Sequence, residues 1–358
     1  MISILFVENR KYLHALGIFK TCTNFNGIKN YKINDNEIKK FDLLISQLYT
    51  NSVSNFLILK AKKNNVKTLL VSDGIIDWAN LFSNPMTTKY NLNLYQSILH
   101  DMFLCVGKEE TKYFNFLGYK TMQYFPERIA PTVDKWPLSI RKTFLITTAN
   151  TAYFNESEKK HLITLMKKVI QDLDKLSFKY IFRVFDTSLV DELNIKEDEN
   201  IKDDSFEECL KLVDYVITTP SSISLTAMYH DRAVAHLIYR DSPMFIQVGW
   251  NISGSTDVEN SLNNMMTMDN DRMNFQKFQV SNYMVDNEEV EKEVLEELKQ
   301  LKSEKIEQFI NQNLYNMLNS SFNFNIEYFF RNIYLKFKGI KIIRGLIKWK
   351  KYYFIYHL

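Results

Sequence analysis

The sequence predicts an α/β protein made of two parallel-sheet halves, and three observations carry that prediction. Short apolar runs alternate with polar, helix-like stretches along the chain. The alternation is interrupted by a proline-rich stretch near residue 130 and then starts again. The chain has 358 residues, which is enough for two domains of the usual ~100–200 residues. Because strands that alternate with helices at this spacing are typical of parallel sheets covered on both faces, we expect two such sheets.

The first half contains four predicted strands and three predicted helices. Each strand is a short apolar run of the length expected for a buried strand, and the four runs cover residues 2–7, 41–46, 66–72 and 101–107. The helices are predicted at residues 12–20, 55–64 and 108–117. Gly118 follows the last of these and fits the C-cap of a helix.

A predicted linker separates the two halves, because Pro126, Pro131 and Pro137 cluster around Trp136. The pattern then restarts with strands predicted at residues 143–147, 180–185, 214–218 and 233–239. Helices are predicted at residues 155–176, 206–212 and 221–229, followed by a long charged helix over residues 288–318 with Glu/Lys pairs at helical spacing. We therefore expect two Rossmann-like halves and a helical closing segment.

Composition excludes several classes of protein. An aromatic content of 14% gives more surface to bury than a disordered chain offers. Cys22, Cys105 and Cys209 have no metal-like spacing and cannot form a disulfide scaffold. With nine glycines, the chain has neither a dinucleotide fingerprint nor a Walker loop. The sequence shows neither a leader peptide nor a run of ~18–20 apolar residues, a pattern typical of a bacterial cytosolic protein.

The last 28 residues form a separate cationic element. Residues 331–358 contain eight Lys/Arg and no Asp or Glu, whereas the preceding 330 residues hold 37 basic and 42 acidic side chains. The body therefore lacks a nucleic-acid footprint. Cations interleaved with Ile, Phe, Trp and Tyr favour an interfacial helix on an anionic membrane surface, which predicts a cytoplasmic protein peripheral to the inner face of the membrane. Binding of RNA and packing of this tail on the body are the alternatives.

Two hydroxyl-rich turns follow predicted strands of the second half. One comprises residues 218–222, Thr-Thr-Pro-Ser-Ser, and opens directly into a helix, and the other comprises residues 147–151. Hydroxyls and free N–H groups at such a turn favour an anion. Ordinary helix capping by Ser and Thr is the alternative.

This segment of strand, Ser/Thr turn, small-residue helix and strand resembles the donor-nucleotide segment of GT-B glycosyltransferases, particularly enzymes that build bacterial surface polysaccharides. Many members have Glu inside that helix where this chain has Thr226, so a ribose-binding carboxylate is not carried over. The resemblance covers most of residues 1–320 and implies two Rossmann-like domains facing a cleft. We expect the donor to meet Thr148, Asn150, Thr151, Arg183, Thr219, Ser221, Ser222, Tyr239, Asp241 and Ser242.

A second informative segment, Asp-Gly-Ile-Ile-Asp-Trp, begins directly after a predicted strand of the first half. Open α/β sheets bind ligands at that edge, and similar stretches occur in uncharacterised bacterial GT-B-like proteins. A plain Asp-Gly turn with a helix-capping second Asp is the alternative. The predicted catalytic residues are Asp73, Asp77 and His100, and the predicted acceptor or sugar contacts are Gly74, Trp78, Asn80 and Arg128.

The resulting hypothesis is a glycosyltransferase that needs neither a metal nor another cofactor. Residues 1–135 are predicted to bind a glycan or lipid-linked acceptor and residues 136–285 a nucleotide-sugar donor, with residues 286–330 closing the fold. Because the predicted phosphate site is poor in Lys and Arg, we expect a CMP-linked acidic sugar. The alternatives are a UDP-sugar transferase or epimerase of the same fold, a CDP-polyol phosphotransferase, and a non-catalytic binding protein recruited to the membrane.

Overall fold

Two five-stranded sheets carry the fold, and every strand pair within them is parallel. The computed structural model describes residues 2–8, 14–20, 33–47, 52–88, 94–95, 98–130, 134–139, 141–301 and 333. Helices cover the sheets, so the predicted α/β architecture with two parallel-sheet domains is confirmed.

The strands of the first sheet lie side by side in chain order: β1 (Ile4–Phe6), β2 (Leu43–Ser46), β3 (Lys67–Val71), β4 (Met102–Val106) and β5 (Thr121–Tyr124). Its helices are α1 (Asp35–Ile38), α2 (Ser52–Lys63), α3 (Trp78–Ser83), α4 (Pro85–Thr88) and α5 (Lys108–Phe116). The sequence predicts β1 to β4 but misses β5, whose two central residues are only half-buried and give no apolar run.

The second sheet has its strands in the order β10-β9-β8-β6-β7, with β6 (Thr143–Thr147), β7 (Lys179–Arg183), β8 (Tyr215–Thr218), β9 (Ala233–Leu237) and β10 (Trp250–Ile252). Its helices are α6 (Glu156–Lys175), α7 (Thr187–Glu192), α8 (Phe206–Leu212), α9 (Ile223–Tyr229) and α10 (Val258–Met266). The chain leaves β6 toward β7 on one side and then returns to place β8 on the other side. The order therefore reverses between β6 and β8, which makes the carboxyl ends of these two strands a topological switch point.

Local sequence explains why these elements form. Helix α6 begins where Asn155 Oδ1 accepts the N–H of Glu158 at 2.9 Å. It presents a buried apolar stripe to the second sheet at helical spacing, formed by Leu162, Leu165, Met166, Val169 and Leu173. The inner strands of both sheets are buried along their whole length, except for the first residue of β3, as expected for strands covered on both faces.

The linker between the sheets is anchored to the second domain. Trp136 stacks on His230 with ring centroids 4.0 Å apart. The fully buried Arg232 side chain donates to the carbonyl oxygens of Trp136 at 2.9 Å and Pro137 at 2.8 Å. Three further carbonyls, those of Leu210, Val213 and His230, accept from the same guanidinium, which satisfies the charge despite its burial.

The last described helices, α11 (Asn270–Tyr283) and α12 (Asn287–Gln300), lead back to the first domain. Asn287 exchanges two hydrogen bonds with the backbone of Phe125, and Lys120 pairs with Glu297 at 2.7 Å. The helix predicted over residues 288–318 is observed up to residue 300. Its remainder lies outside the described residues, as does the predicted tail over residues 331–358 apart from residue 333. Where the chain is described, it contains no helix long and apolar enough to cross a membrane.

Candidate active site

A cleft of about 440 Å³ lies between the carboxyl edges of the two sheets. The first domain lines it with the loop after β3, residues 72–77, which we call the Asp-Gly loop. The second domain lines it with residues 149–151 after β6 and with residues 220–222 after β8. These last two segments meet at the switch point of the second sheet, where doubly wound α/β sheets bind their ligands.

The Asp-Gly loop is held from within the first domain and touches the second. Ser72 Oγ donates to Gly74 O at 2.6 Å, and Arg128 Nε donates to the carbonyl of Asp73. A side chain on Gly74 would collide with the side chains of Arg128 and Ser222, so the missing Cβ permits their close approach to the loop. Across the domain boundary, the N–H of Ile75 donates to Ser222 Oγ at 3.0 Å.

Asp73 is the carboxylate that this arrangement leaves available. Its side chain is exposed in the cleft, and no described residue pairs with its carboxylate by a hydrogen bond or an ion pair. The exposed position of Asp73 therefore suits its predicted catalytic role, because a general base must reach the proton that it removes.

The Asp77 carboxylate, in contrast, forms a hydrogen bond and an ion pair. Its Oδ1 accepts the N–H of Ala79 at 3.1 Å and caps α3, and its Oδ2 lies 3.1 Å from Arg240 Nη1 of the second domain. Burial raises the pKa of the Asp77 carboxyl, while the Arg240 guanidinium acts in the opposite direction. The capping alternative thus describes Asp77 better than the predicted catalytic role.

His100 is absent from the cleft lining in the described structure, contrary to the predicted catalytic placement. Its side chain is buried, and its Nε2 lies 2.7 Å from Ser46 Oγ. Burial lowers the pKa of His100 to about 3, so the imidazole is neutral and structural.

The hydroxyl groups of the two turns in the second domain differ in their hydrogen bonding. Thr219 Oγ1 accepts the N–H of Ala149 at 2.8 Å and thereby ties the two turns together. Ser222 Oγ accepts the N–H of Ile75 from the first domain. Ser221 Oγ is buried at the cleft without a hydrogen-bond partner in the described structure, and the buried Thr148 Oγ1 is likewise unpartnered.

Trp78 does not offer a sugar-stacking face to the cleft. Its ring packs against Phe82 at 4.5 Å, Tyr113 at 5.4 Å and Phe245 at 6.1 Å between ring centroids. Because Phe245 belongs to the second domain, the tryptophan contributes to domain packing instead.

Six predicted donor contacts also lie outside the cleft lining of the described structure, namely Thr148, Arg183, Thr219, Tyr239, Asp241 and Ser242. The Arg183 guanidinium lies over the Phe185 ring, 4.7 Å from its centroid, and donates to Asp204 O at 3.4 Å. Tyr239 is buried with its hydroxyl donating to Ala152 O. Asp241 and Ser242 follow β9 but do not reach the cleft wall. The predicted residues that the structure does bring together there are Asp73, Gly74, Asp77, Asn80, Arg128, Asn150, Thr151, Ser221 and Ser222.

Sequence reasoning missed several residues at or behind the cleft, namely Gln47, Leu94, Tyr95, Phe154, Arg240 and Glu110. Arg240 has a local signal, because it directly follows the end of a strand beside the predicted Tyr239 and Asp241. Gln47 follows β2 in the same way. Glu110 lies on a helix among other charged residues, and nothing in the sequence distinguishes it from them.

The described residues contain no cluster of three or more His, Cys, Asp or Glu side chains that could hold a metal ion. Metal independence of the reaction stays a prediction, as does the absence of a cofactor.

Sequence comparison finds no relative: no protein-family model and no curated protein matches the chain. Solved structures match in fold. The S. aureus MnaA–UDP co-structure is 13% identical, covers 85% of this chain and 99% of its own, and gives a TM-score of 0.53. A putative UDP-N-acetylglucosamine 2-epimerase from Listeria monocytogenes is 11% identical, with 84% and 98% covered and a TM-score of 0.53.

A third match is a variant of the wall teichoic acid polymerase TagF with CDPG, which is 13% identical, covers 86% of this chain and 90% of its own, and gives a TM-score of 0.51. At such identities the likeness shows the fold alone. The chain has the GT-B fold of two parallel-sheet α/β domains facing a cleft, in agreement with the resemblance in its sequence.

Proposed function

We propose that this chain is a glycosyltransferase that moves a sugar from a nucleotide-linked donor onto an acceptor hydroxyl. The observation that carries the proposal is a pair of polar groups on opposite walls of one cleft, neither of which has a hydrogen-bond partner among the described residues. Asp73 supplies an exposed carboxylate from the first domain, and Ser221 supplies a hydroxyl without a described partner from the second. The fold supports the proposal as well, since matched structures are described as holding UDP or CDPG.

In this reaction the acceptor lies on the first-domain wall and Asp73 accepts the proton of its attacking hydroxyl. The switch point between β6 and β8 receives the nucleotide phosphate on backbone N–H groups and hydroxyls. Contacts between Ile75 and Ser222 hold the two walls together, which limits water in the cleft.

A CMP-linked acidic sugar is the donor that we favour. The cleft lining in the described structure includes two carboxylates, those of Asp73 and Asp77, but a single cation, Arg128. A diphosphate carries more negative charge than a monophosphate, and the single cation of this lining would neutralise little of that charge. Arg128 is suited to a bidentate contact with the carboxylate of an acidic sugar.

The test is a thermal-stability panel of the purified full chain with CMP, CDP, UDP and GDP, followed by a transfer assay with the matching donor. A nucleotide at 100 times its Kd stabilises a protein by about 2.7 kcal/mol, which is readily measured. We expect CMP to give the largest shift and a CMP-linked sugar to yield a glycosylated product.

Other outcomes of this panel would indicate a different function. Stabilisation by UDP with inversion of a sugar carbon and no acceptor product would indicate an epimerase, the activity named for the matched Listeria monocytogenes structure. Stabilisation by CDP with transfer of a polyol phosphate would indicate the phosphotransferase. No stabilisation by any nucleotide would leave the non-catalytic binding protein.

Membrane association is proposed from composition alone, because the tail over residues 331–358 lies almost entirely outside the described structure. Its eight cations and its aromatic residues support binding to anionic lipid. The full chain should sediment with phosphatidylglycerol vesicles at low salt and less with phosphatidylcholine vesicles. Equal sedimentation with phosphatidylglycerol and phosphatidylcholine vesicles would contradict this part of the proposal.

A further inference from the structure

A buried carboxyl lies beneath the Asp-Gly loop. Glu110 belongs to the first turn of α5 and is only 1% exposed. Its Oε1 accepts the N–H of Ile76 at 2.7 Å. Its Oε2 is buried and has no hydrogen-bond partner among the residues that the structure describes. Burial of an incompletely paired carboxyl costs folding free energy, which indicates that Glu110 serves a purpose other than stability.

The hydrogen bonds of the loop show what Glu110 does. Two successive N–H groups donate to opposite sides: Ile75 to Ser222 of the second domain and Ile76 to Glu110 of the first. The loop is thus fixed between the two walls at its centre, three residues from Asp73. Without Glu110, the loop would keep its contact with the second domain and lose its central attachment to the first.

The helix that carries Glu110 is itself anchored. Gly107 precedes α5 with φ of 99°, and a side chain there would collide with the ring of Tyr283. Tyr283 in turn donates through its hydroxyl to Phe245 O at 3.0 Å. Glu110 therefore projects from a support that both domains hold in place.

The chemistry of the carboxyl fits a neutral acceptor. Burial raises the pKa of Glu110 well above its ordinary value, although the hydrogen bond from the N–H of Ile76 acts in the opposite direction. Oε1 can accept from Ile76 in the protonated acid as well as in the anion. Glutamine offers the same acceptor at the same reach without any titration.

We propose that Glu110 is a positioning residue that places the Asp73 carboxylate for reaction by accepting the N–H of Ile76. It acts through the loop backbone and does not touch the substrate. The inference rests on the proposed function for the role of Asp73, whereas the attachment of the loop can be tested without any turnover.

The experiment compares Glu110→Gln, Glu110→Met and the control Glu109→Gln in the full chain. Glu109 is the neighbour on the same helix, with an exposed side chain that pairs with Lys112. Two properties are measured: hydrogen exchange of the peptide that covers residues 72–77, and kcat and KM for the donor found in the nucleotide panel. Glu110→Asp, which withdraws the carboxyl by one methylene, replaces Glu110→Met if that variant fails to fold.

We expect Glu110→Met to speed exchange in residues 72–77 and to lower kcat on the order of 10-fold to 100-fold with little change in KM, since a small misplacement of a reacting group has that effect. Glu110→Gln should restore both properties, and Glu109→Gln should leave both unchanged. Unchanged exchange in Glu110→Met, or a Glu110→Gln variant as impaired as Glu110→Met, would overturn the inference. If the wild type shows no transfer at all, the proposed function fails, and the exchange data still decide whether Glu110 holds the loop.

Discussion

The two walls of the cleft are built on different principles. The first-domain wall is charged: its Asp-Gly loop presents Asp73 and Asp77, with Arg128 beside them. The second-domain wall is neutral and rich in hydroxyls, with Ser221 and Ser222 at its turn. Under the proposed function, this difference assigns proton transfer to the first wall and phosphate binding to the second, because a base needs an ionisable group while a phosphate can be held by hydroxyls and N–H groups.

A buried titratable group supports each wall, and the two differ in kind. Glu110 lies under the Asp-Gly loop as a carboxyl whose pKa burial raises. His236 lies under the hydroxyl turn, where its Nε2 is 2.7 Å from Ser224 Oγ, and burial lowers its pKa to about 3. Burial therefore favours the uncharged form of both groups, although it shifts their pKa values in opposite directions.

The largest expected effect comes from removing the free charge of the first wall. Asp73→Asn should lower kcat by about 10²–10⁴-fold, the usual contribution of a general base. Nucleotide binding should be retained, because the second wall is untouched. The measurement is a transfer assay beside a thermal shift with the preferred nucleotide.

Asp203→Asn, at an exposed aspartate of the second domain, is the matched control and should keep full activity. An Asp73→Asn variant with wild-type kcat would remove Asp73 from the mechanism and with it the main argument for catalysis in this cleft.

Local pattern was enough to predict much of this comparison. Asp73 follows a strand of the first sheet and Ser221 a strand of the second, so strand ends in the sequence predict that each residue lies at the carboxyl edge of its own sheet. The strands β5 and β10 escaped prediction because they are short and carry a weak apolar pattern.

Partners that are distant in sequence could not be predicted. Asp77 and Arg240 are 163 residues apart, and the contact of Trp78 with Phe245 also crosses the domains. The sequence shows the residue types at these positions, but only the packing of one domain on the other decides that Asp77 is paired while Asp73 has no partner among the described residues.

The second prediction concerns pH and the wall that His236 supports. Because the folded-state pKa of His236 is about 3 and the unfolded value is about 6.5, the unfolded chain binds more protons between these values. Stability should therefore fall as pH falls from about 6.5 toward 3, with a contribution of up to ~1.4 kcal/mol per pH unit from this group. His236→Gln should show a shallower loss of unfolding free energy from pH 6.5 to 5 than the wild type, measured by urea titration.

His161 is an exposed histidine on α6, and His161→Gln should keep the wild-type slope. Equal slopes for His236→Gln and the wild type would contradict the neutral, buried state of His236.

The third prediction separates the two aspartates of the first wall. Asp77→Ala should lower the free energy of unfolding by about 1–2 kcal/mol, because it removes the helix cap together with the contact to Arg240. Asp77→Asn keeps an acceptor for the N–H of Ala79 and should cost less. A double-mutant cycle with Arg240→Leu should show a coupling of about 0.5–3 kcal/mol. If Asp77→Asn lowered kcat as much as Asp73→Asn, Asp77 would be a catalytic residue, as the sequence predicts.

The smallest expected effect lies on the hydroxyl wall and distinguishes its two serines. Ser221 Oγ lacks a partner in the described structure, so Ser221→Ala should leave the free protein as stable as before while weakening nucleotide binding by about 0.5–1.5 kcal/mol, the net value of one hydrogen bond. Ser222 Oγ already accepts the N–H of Ile75, so Ser222→Ala should lower the stability of the free protein by leaving that donor unsatisfied. Calorimetric titration and thermal unfolding of both variants measure the two effects separately. Equal loss of stability in both variants would mean that Ser221 is also bonded within the protein, and the second wall would then lose its open position for a ligand.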